Sequence, residues 1–452
     1  MNKITSYTIV LLLTISFFWT ACVPSNNKSN ASLPMLRVEN GIVLNENNEK
    51  VLLQGTNAGG LLVTERWMTL VGGTPAVGDN VPMHNIFLER FGTEKAQQIW
   101  QHYRENFWTE QDFINLAEMG MNVIRLPFMH LTIDPTFNQV PQLSGEKFNF
   151  TILEEFVAEA AKHGIYTILD LHGTYGSHNG QDHSGLTINV PQGANVMDYV
   201  TFWNPDCPIG TENRRKTTEL WVAVAQHFYE NPNVAGFYLL NEPGEKGRLT
   251  TLLHWNYFNE LYEAIREVNR HHIIIFNPCW GGGDIPHPTN NPYGFNWDTN
   301  VMYSFHHYTH YNGATNYELH MENMLWRVNE VEGRNFGVPV MMGEFTVLHG
   351  GLKGWKNTLR LFQERGWHWT SWTYKVYTNN SSSVWGIFNS RLVQEYGIEE
   401  ALVHPQTDSF DDIIRKWSRT RTDNENMFKF AFSDGTTLFD VMKSTINEFD
   451  AQ

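Results

Sequence analysis

The chain has 452 residues, 41% of them hydrophobic and 13% aromatic, with a formal charge of -16 at neutral pH. That is a globular composition, long enough for one large domain or two ordinary ones. The acid excess, with no run of Lys and Arg able to neutralise phosphates, argues against nucleic acid as a partner.

At the N-terminus Lys3 precedes an apolar run over residues 9–19, then Thr20-Ala21-Cys22 and the polar tract VPSNNKSNAS. The run is too short to span a bilayer comfortably and reads as an export signal. Small residues ahead of a Cys resemble a bacterial lipoprotein cleavage box, which makes Cys22 the lipidated first residue of a cell-envelope protein, periplasmic or surface-facing. Trp19 departs from the usual aliphatic residue and keeps ordinary signal-peptidase cleavage as the alternative. Residues 1–22 are thus expected to be a signal, 23–34 a flexible tether and 35–452 a single domain, monomeric and touching membrane only through the lipid. Cys207 and Cys279 read as buried free thiols, with a disulfide as the alternative.

Residues 36–55, LRVENGIVLNENNEKVLLQG, alternate short apolar runs with turn signals, which predicts a hairpin leading into a first buried strand. The chain then repeats one theme, a short apolar strand followed by a helical pattern. Strands are expected at 51–56, 122–126, 166–171, 234–240, 273–276, 301–305, 338–343 and 368–372, and helices at 152–163, 217–229, 252–269, 317–331 and 355–365. Eight such alternations predict an α/β fold of the (β/α)8 TIM-barrel type. No Gly-x-Gly-x-x-Gly follows the first strand, which removes the usual reason to expect a dinucleotide fold. After Trp372 the pattern loosens to a TNNSSS loop, VWGIFN and a helix over 408–417, read as a C-terminal elaboration of the same domain.

In such a barrel, polar residues at the C-terminal ends of strands mark the active site. Here those ends carry Asn57, Arg125, Asp170 with His172, Asn241 with Glu242, His306 with Tyr308, Glu344 and Trp372. An ionised Glu at the end of the apolar strand GFYLLNEP is costly to bury without a partner. Glu242 and Glu344 follow strands three apart in the ring, so they can face each other across the mouth and flank one bond. Glycoside hydrolysis needs that pair, one acid to protonate the leaving oxygen and one to attack or activate water. Asn241 can bond a sugar 2-hydroxyl, Arg125 and Tyr308 can donate to Glu344, and Trp372 offers an apolar floor for a sugar ring.

The ordered segments LLQGTNAGGLLVTERWM, MNVIRLPF, ILDLHGTYGSHNG, GFYLLNEP, VMYSFHHY, PVMMGEF and SWTYK resemble glycoside hydrolase family 5, a clan of retaining β-glycosidases. The resemblance implies Glu242 as acid/base and Glu344 as nucleophile. It also implies Arg125, His172, Asn241, His306, Tyr308 and Trp372 around the cleavage subsite, with the His-x-Tyr spacing favouring His306 over His307. Residues 55–67 are similar to the GxNxGGWxxxExW pattern of the exo-β-glucanase branch, which implies that Glu65 holds the terminal sugar. Ala58, Leu61, Arg66, Tyr175 and His178 depart from that branch and leave the linkage open. The expected substrate is a β-linked gluco-oligosaccharide or polysaccharide, cleaved from its end with no cofactor and no metal.

Three other readings stand beside this one. An endo-acting β-1,4-glucanase or mannanase shares the fold and acids, and a non-catalytic glycan-binding lipoprotein shares the scaffold. A metal cluster among His172, His178, His183, His306 and His307 explains less than the Glu pair does. Asp170 reads as a salt bridge to Arg125 or Lys375, Glu330 and Glu332 as a solvated helix end, and Glu245 and Lys246 as exposed. Trp203, Trp280 and Trp385 read as rim residues that either pack or bind further sugars.

Overall fold

The computed structural model describes residues 32–244, 248–278, 286, 293–377 and 385–450. The signal, Cys22, most of the tether, Glu245, Lys246, Cys279 and Trp280 lie outside the described residues. Eight parallel strands close into a barrel in chain order: β1 (Gln54–Asn57), β2 (Val123–Met129), β3 (Tyr166–Gly173), β4 (Val234–Tyr238), β5 (Ile273–Phe276), β6 (Val301–His306), β7 (Val340–Glu344) and β8 (His368–Ser371), with β8 pairing back onto β1. Strands and inner helix faces are almost wholly buried because each strand is covered on both sides, by the barrel interior and by the helical ring.

β1 starts at Gln54, not at 51, because Val51 still belongs to the hairpin, its N–H donating to Val43 O at 2.9 Å. That hairpin, Leu36–Glu39 against Ile42–Asn45, turns at Asn40 and Gly41, both left-handed (φ 52° and 76°), as an Asn-Gly turn requires. It lies at the N-terminal ends of the strands, where Val38 N–H donates to Asn300 Oδ1 (2.8 Å) and Leu33 N–H to Asn233 Oδ1 (2.9 Å). Leu36, Val38 and Val43 pack there with Leu53, Val123, Ile275 and Met341 and plug the barrel bottom.

The expected helices form as Thr151–Lys162, Arg248–Val268, Tyr317–Glu332 and Gly351–Arg365. The one expected at 217–229 starts earlier, as Pro208–His227; its first turns, PIGTENRRK, are polar and carry no apolar period that would reveal them in the sequence. Proline at its first position needs no N–H partner there. A further helix, Asn80–Phe107, broken at Gly92 (φ 77°), and a shorter one, Glu110–Glu118, lie between β1 and β2. The segment after β8 adds a small sheet (Lys375–Val376, Phe388–Ser390, Met427–Lys429), the helix Phe410–Trp417 against Asn80–Phe107, and the helix Leu438–Asp450 against Gly351–Arg365. Cys207 is half-buried and free, not fully buried. Trp203 is a packing residue, 5% exposed, with its Nε1–H donated to His178 O at 2.6 Å. Among the described residues no helix is long and apolar enough to cross a membrane.

Candidate active site

The strand ends converge on one fully buried cation. Arg125, from the middle of β2, donates through Nη1 to Glu344 Oε1 (2.7 Å) and Asn57 Oδ1 (2.8 Å), and through Nη2 to Asn241 Oδ1 (2.6 Å). Its Nη2 also lies 3.1 Å from Asp170 Oδ2, and the guanidinium sits 4.2 Å from the centre of the Tyr238 ring. Burial alone would lower its pKa, but Asp170, Tyr238 and Glu344 together hold it above the ordinary value. Asp170 is therefore half of the mouth salt bridge; Lys375 pairs instead with Asp112 at 3.1 Å. Burial pushes Asp170 up, to about 7, against the opposing pull of Arg125.

Glu344, the last residue of β7, is 4% exposed and receives a second bond on its other oxygen, Tyr308 OH to Oε2 at 2.7 Å. Each oxygen thus has its own donor, one a charged guanidinium and one a phenol. Gly343 makes room for the neighbouring strands: a Cβ there would lie 2.2 Å from Ser304 Oγ and 3.1 Å from His306 Nε2.

Glu242, three strands away around the ring, has different company. Its Oε1 is 2.6 Å from His306 Nδ1, and its Oε2 is 3.4 Å from His183 Nε2. Burial pushes its pKa up, opposed by His183 and Arg125. Burial likewise lowers His306 to about 4, so that ring is neutral near pH 7. Glu242 also holds a left-handed backbone (φ 42°), strained for a residue with a Cβ. The strain is held by Asn277, whose Oδ1 accepts the Glu242 N–H at 2.7 Å, and by Asn179, whose Nδ2 donates to the Glu242 carbonyl at 3.2 Å. One oxygen from each acid and His306 Nδ1 lie within 4.8 Å of one another.

The donors around them fix the orientation of the remaining polar side chains. Because guanidinium only donates, Asn241 turns its Oδ1 to Arg125, and its Nδ2 then donates to His172 Nε2 at 3.2 Å. His172 must therefore carry its proton on Nδ1, donated to Asp170 Oδ2 at 2.6 Å, and burial depresses its pKa well below the usual value. The ring lies parallel to Trp372, 5.6 Å between centres and 5° between planes, so the indole is held flat against the site.

A cavity of about 780 Å³ opens over these groups. Of the residues singled out in the sequence, Glu65, His172, Asn241, Glu242, Tyr308, Glu344 and Trp372 line it, while Arg125 and His306 stand behind the wall. Glu65 accepts from Trp67 Nε1 at 2.7 Å, and its pKa is raised, by burial first and then by Asp182 and the other two acids. Trp385 also lines the cavity, 5.3 Å from Trp67 and 5.6 Å from Tyr308. His307 points away, its Nδ1 accepting from Arg327 Nε at 3.5 Å, and His178 Nε2 is 2.5 Å from Asn241 O. The five histidines weighed as a metal cluster therefore do not converge on one point. Glu330 is paired with Arg327 and Arg334, and Glu332 with Arg365. The sequence reading missed His183 as an acid contact, Asn179, Asn277 and Tyr238. Asn277 had a usable signal, an amide just past a strand end like Asn241; the other three show only through contacts between elements distant in sequence.

A sequence profile described as cellulase (glycosyl hydrolase family 5) matches residues 84–378. A β-xylosidase of Phanerodontia chrysosporium is 27% identical over 274 residues, 61% of this chain and 52% of its own length. A sporulation-specific glucan 1,3-β-glucosidase of Saccharomyces cerevisiae is 26% identical over 321 residues, 66% of each chain. The chain thus spans between half and two thirds of these relatives. In fold it is similar to the rutinosidase of Aspergillus niger, with a TM-score of 0.57 and 18% identity over 74% of this chain and 92% of that one.

Proposed function

The chain belongs to glycoside hydrolase family 5, and on that premise we propose that it is a retaining β-glycosidase that removes glucosyl units from the ends of β-glucans or gluco-oligosaccharides. In the first step Glu344 attacks the anomeric carbon as Glu242 gives its proton to the departing oxygen, leaving a glycosyl ester on Glu344 and a carboxylate at Glu242. In the second, Glu242 takes a proton from water, whose oxygen displaces Glu344. Arg125 and Tyr308 donate to the two oxygens of Glu344 and orient it for attack, and Asn241 has an amide hydrogen left for the sugar 2-hydroxyl.

The observation that carries this reading is the closeness of the two acids, with oxygens within 4.8 Å. That spacing supports direct attack, since inverting enzymes keep their carboxyl groups about 6.5–9.5 Å apart to admit a water. The names of the relatives, a glucan 1,3-β-glucosidase and a β-xylosidase, support an end-acting enzyme on a β-linked sugar. The export signal and Cys22 support a lipid-anchored protein of the cell envelope. The test is NMR of products from a panel of β-1,3, β-1,4 and β-1,6 gluco-oligosaccharides. The β-anomer of glucose is expected first; the α-anomer would refute the covalent route, and a fall in polymer viscosity before glucose appears would favour endo action.

A further inference from the structure

A second cavity, of about 860 Å³, lies on the outer wall of the barrel and shares no residue with the one at the mouth. It is a groove between the C-terminal half of the helix Asn80–Phe107 and the helix Thr151–Lys162, and the buried side chains of Leu61, Leu62, Phe113 and Phe156 give it an apolar lining. The segment 139–143 forms one side. It is pinned by Asn149, which donates Nδ2–H to Pro141 O at 2.9 Å and its own N–H to Ile133 O at 2.8 Å.

Three polar side chains of this groove lack partners, which is uncommon for groups so far from water. Gln139 is 4% exposed, and its amide makes no hydrogen bond among the described residues. Trp108 is 7% exposed, and its Nε1–H is buried without an acceptor. Arg104, half-buried in the last turn of Asn80–Phe107, has no ion pair among the described residues. Burial draws its pKa down to about 10, against the opposing pull of Glu105 and Glu155. Gln98 and Gln101 each give one hydrogen to a neighbour, Glu94 Oε1 at 3.4 Å and Glu105 Oε1 at 2.8 Å, and each keeps a second amide hydrogen and a carbonyl for an occupant.

The charges select against an ionic occupant. Glu94, Glu105, Glu110 and Glu155 are exposed around the groove and repel an anion, while Arg104 repels a cation. An occupant that satisfies donors and acceptors without charge, and also lays C–H faces on leucine and phenylalanine side chains, has the chemistry of a sugar chain.

We propose that this outer groove is a second glycan-binding site, holding a stretch of β-glucan while the mouth works on a chain end. The proposal rests on the glucan-cleaving reading above. No bond forms or breaks in the groove. Its contribution is effective concentration, because a polymer held at one site presents its ends to the other, and a small glycoside gains nothing from it.

The test combines Gln139→Ala with Arg104→Ala, two residues outside the catalytic machinery. On an aryl β-glucoside kcat/KM should stay at the wild-type value, while KM on a soluble β-1,3- or β-1,4-glucan rises about tenfold with kcat unchanged. Binding is read apart from turnover by electrophoresis through gels containing each glucan. The background is Glu344→Gln with Trp372→Ala, which removes the nucleophile and the apolar floor of the mouth. That protein should be retarded by glucan, and adding Q139A and R104A should abolish the retardation. If the pair of groove substitutions impairs folding, Gln101→Ala on the exposed side of its helix carries the same test, with KM on the polymer raised about fivefold. An unchanged polymer KM overturns the proposal, as does an E344Q/W372A protein that no glucan slows, or an equal loss on the aryl glucoside. A dimer seen by sedimentation and broken by R104A overturns it too, since the occupant is then a second copy of the chain. A wild type that cleaves no β-glycoside removes the functional reading instead, and retardation of E344Q/W372A would still assign the groove to glycan.

Discussion

The two ends of the barrel are built from the same eight strands and have opposite chemistry. At the bottom, Leu36, Val38 and Val43 of the hairpin close over Leu53, Ile275 and Met341, and the backbone there is capped by two asparagines, Asn233 and Asn300. At the mouth, a buried guanidinium, three buried carboxylates and two imidazoles share one network. Aliphatic burial is stabilising at about 25 cal/mol per Å², whereas buried charges repay their desolvation only when every partner is present. The bottom therefore holds the strands together, and the mouth spends part of that stability on groups placed for reaction.

Variants at the two ends should separate those roles. The largest effect is expected from Glu344→Gln, which removes the oxygen proposed to attack: kcat falls by more than about a thousandfold while the protein stays folded. Turnover close to wild type would break the contrast, because Glu344 would then be one more structural carboxylate. Next is Ile275→Ala, inside the bottom plug. It should cost about 2–5 kcal/mol of unfolding free energy by denaturant titration, with kcat/KM below the melting temperature unchanged; a matching loss of activity would mean that the ends are coupled.

The smallest effect concerns the stability cost of the acid. Glu242 is pushed above its ordinary value of 4.5, so the folded protein binds that proton more tightly than the unfolded chain. The resulting stability is present below the unfolded carboxylate range and is lost as pH rises through the folded pKa. Glutamine cannot ionise, so Glu242→Gln should melt above wild type at pH 7, and the difference should close towards pH 4. A gap independent of pH would assign the change to packing and not to the buried charge.

Much of the site is legible along the chain because a barrel strand delivers its last residue to the mouth whatever else the fold does. GFYLLNEP and PVMMGEF each end an apolar run in an acid, and a strand of that kind has one place for the acid to go. The helix Asn80–Phe107 is harder to read, since Gly92 interrupts its period, and the start of Pro208–His227 is polar throughout. His183 sits in a loop with no period at all, and its sequence neighbours Asp182 and Ser184 give no hint that Glu242 is its partner.

The sequence by itself determines the eight-strand alternation, the two acids and their positions after the fourth and seventh strands, because periodicity and strand-end chemistry are local properties. Only the tertiary structure decides how those acids differ. Glu344 meets Arg125 and Tyr308, while Glu242 meets His306 and His183. Protonation depends on burial and on partners brought in from other strands and loops, and closing the barrel is what brings them within reach.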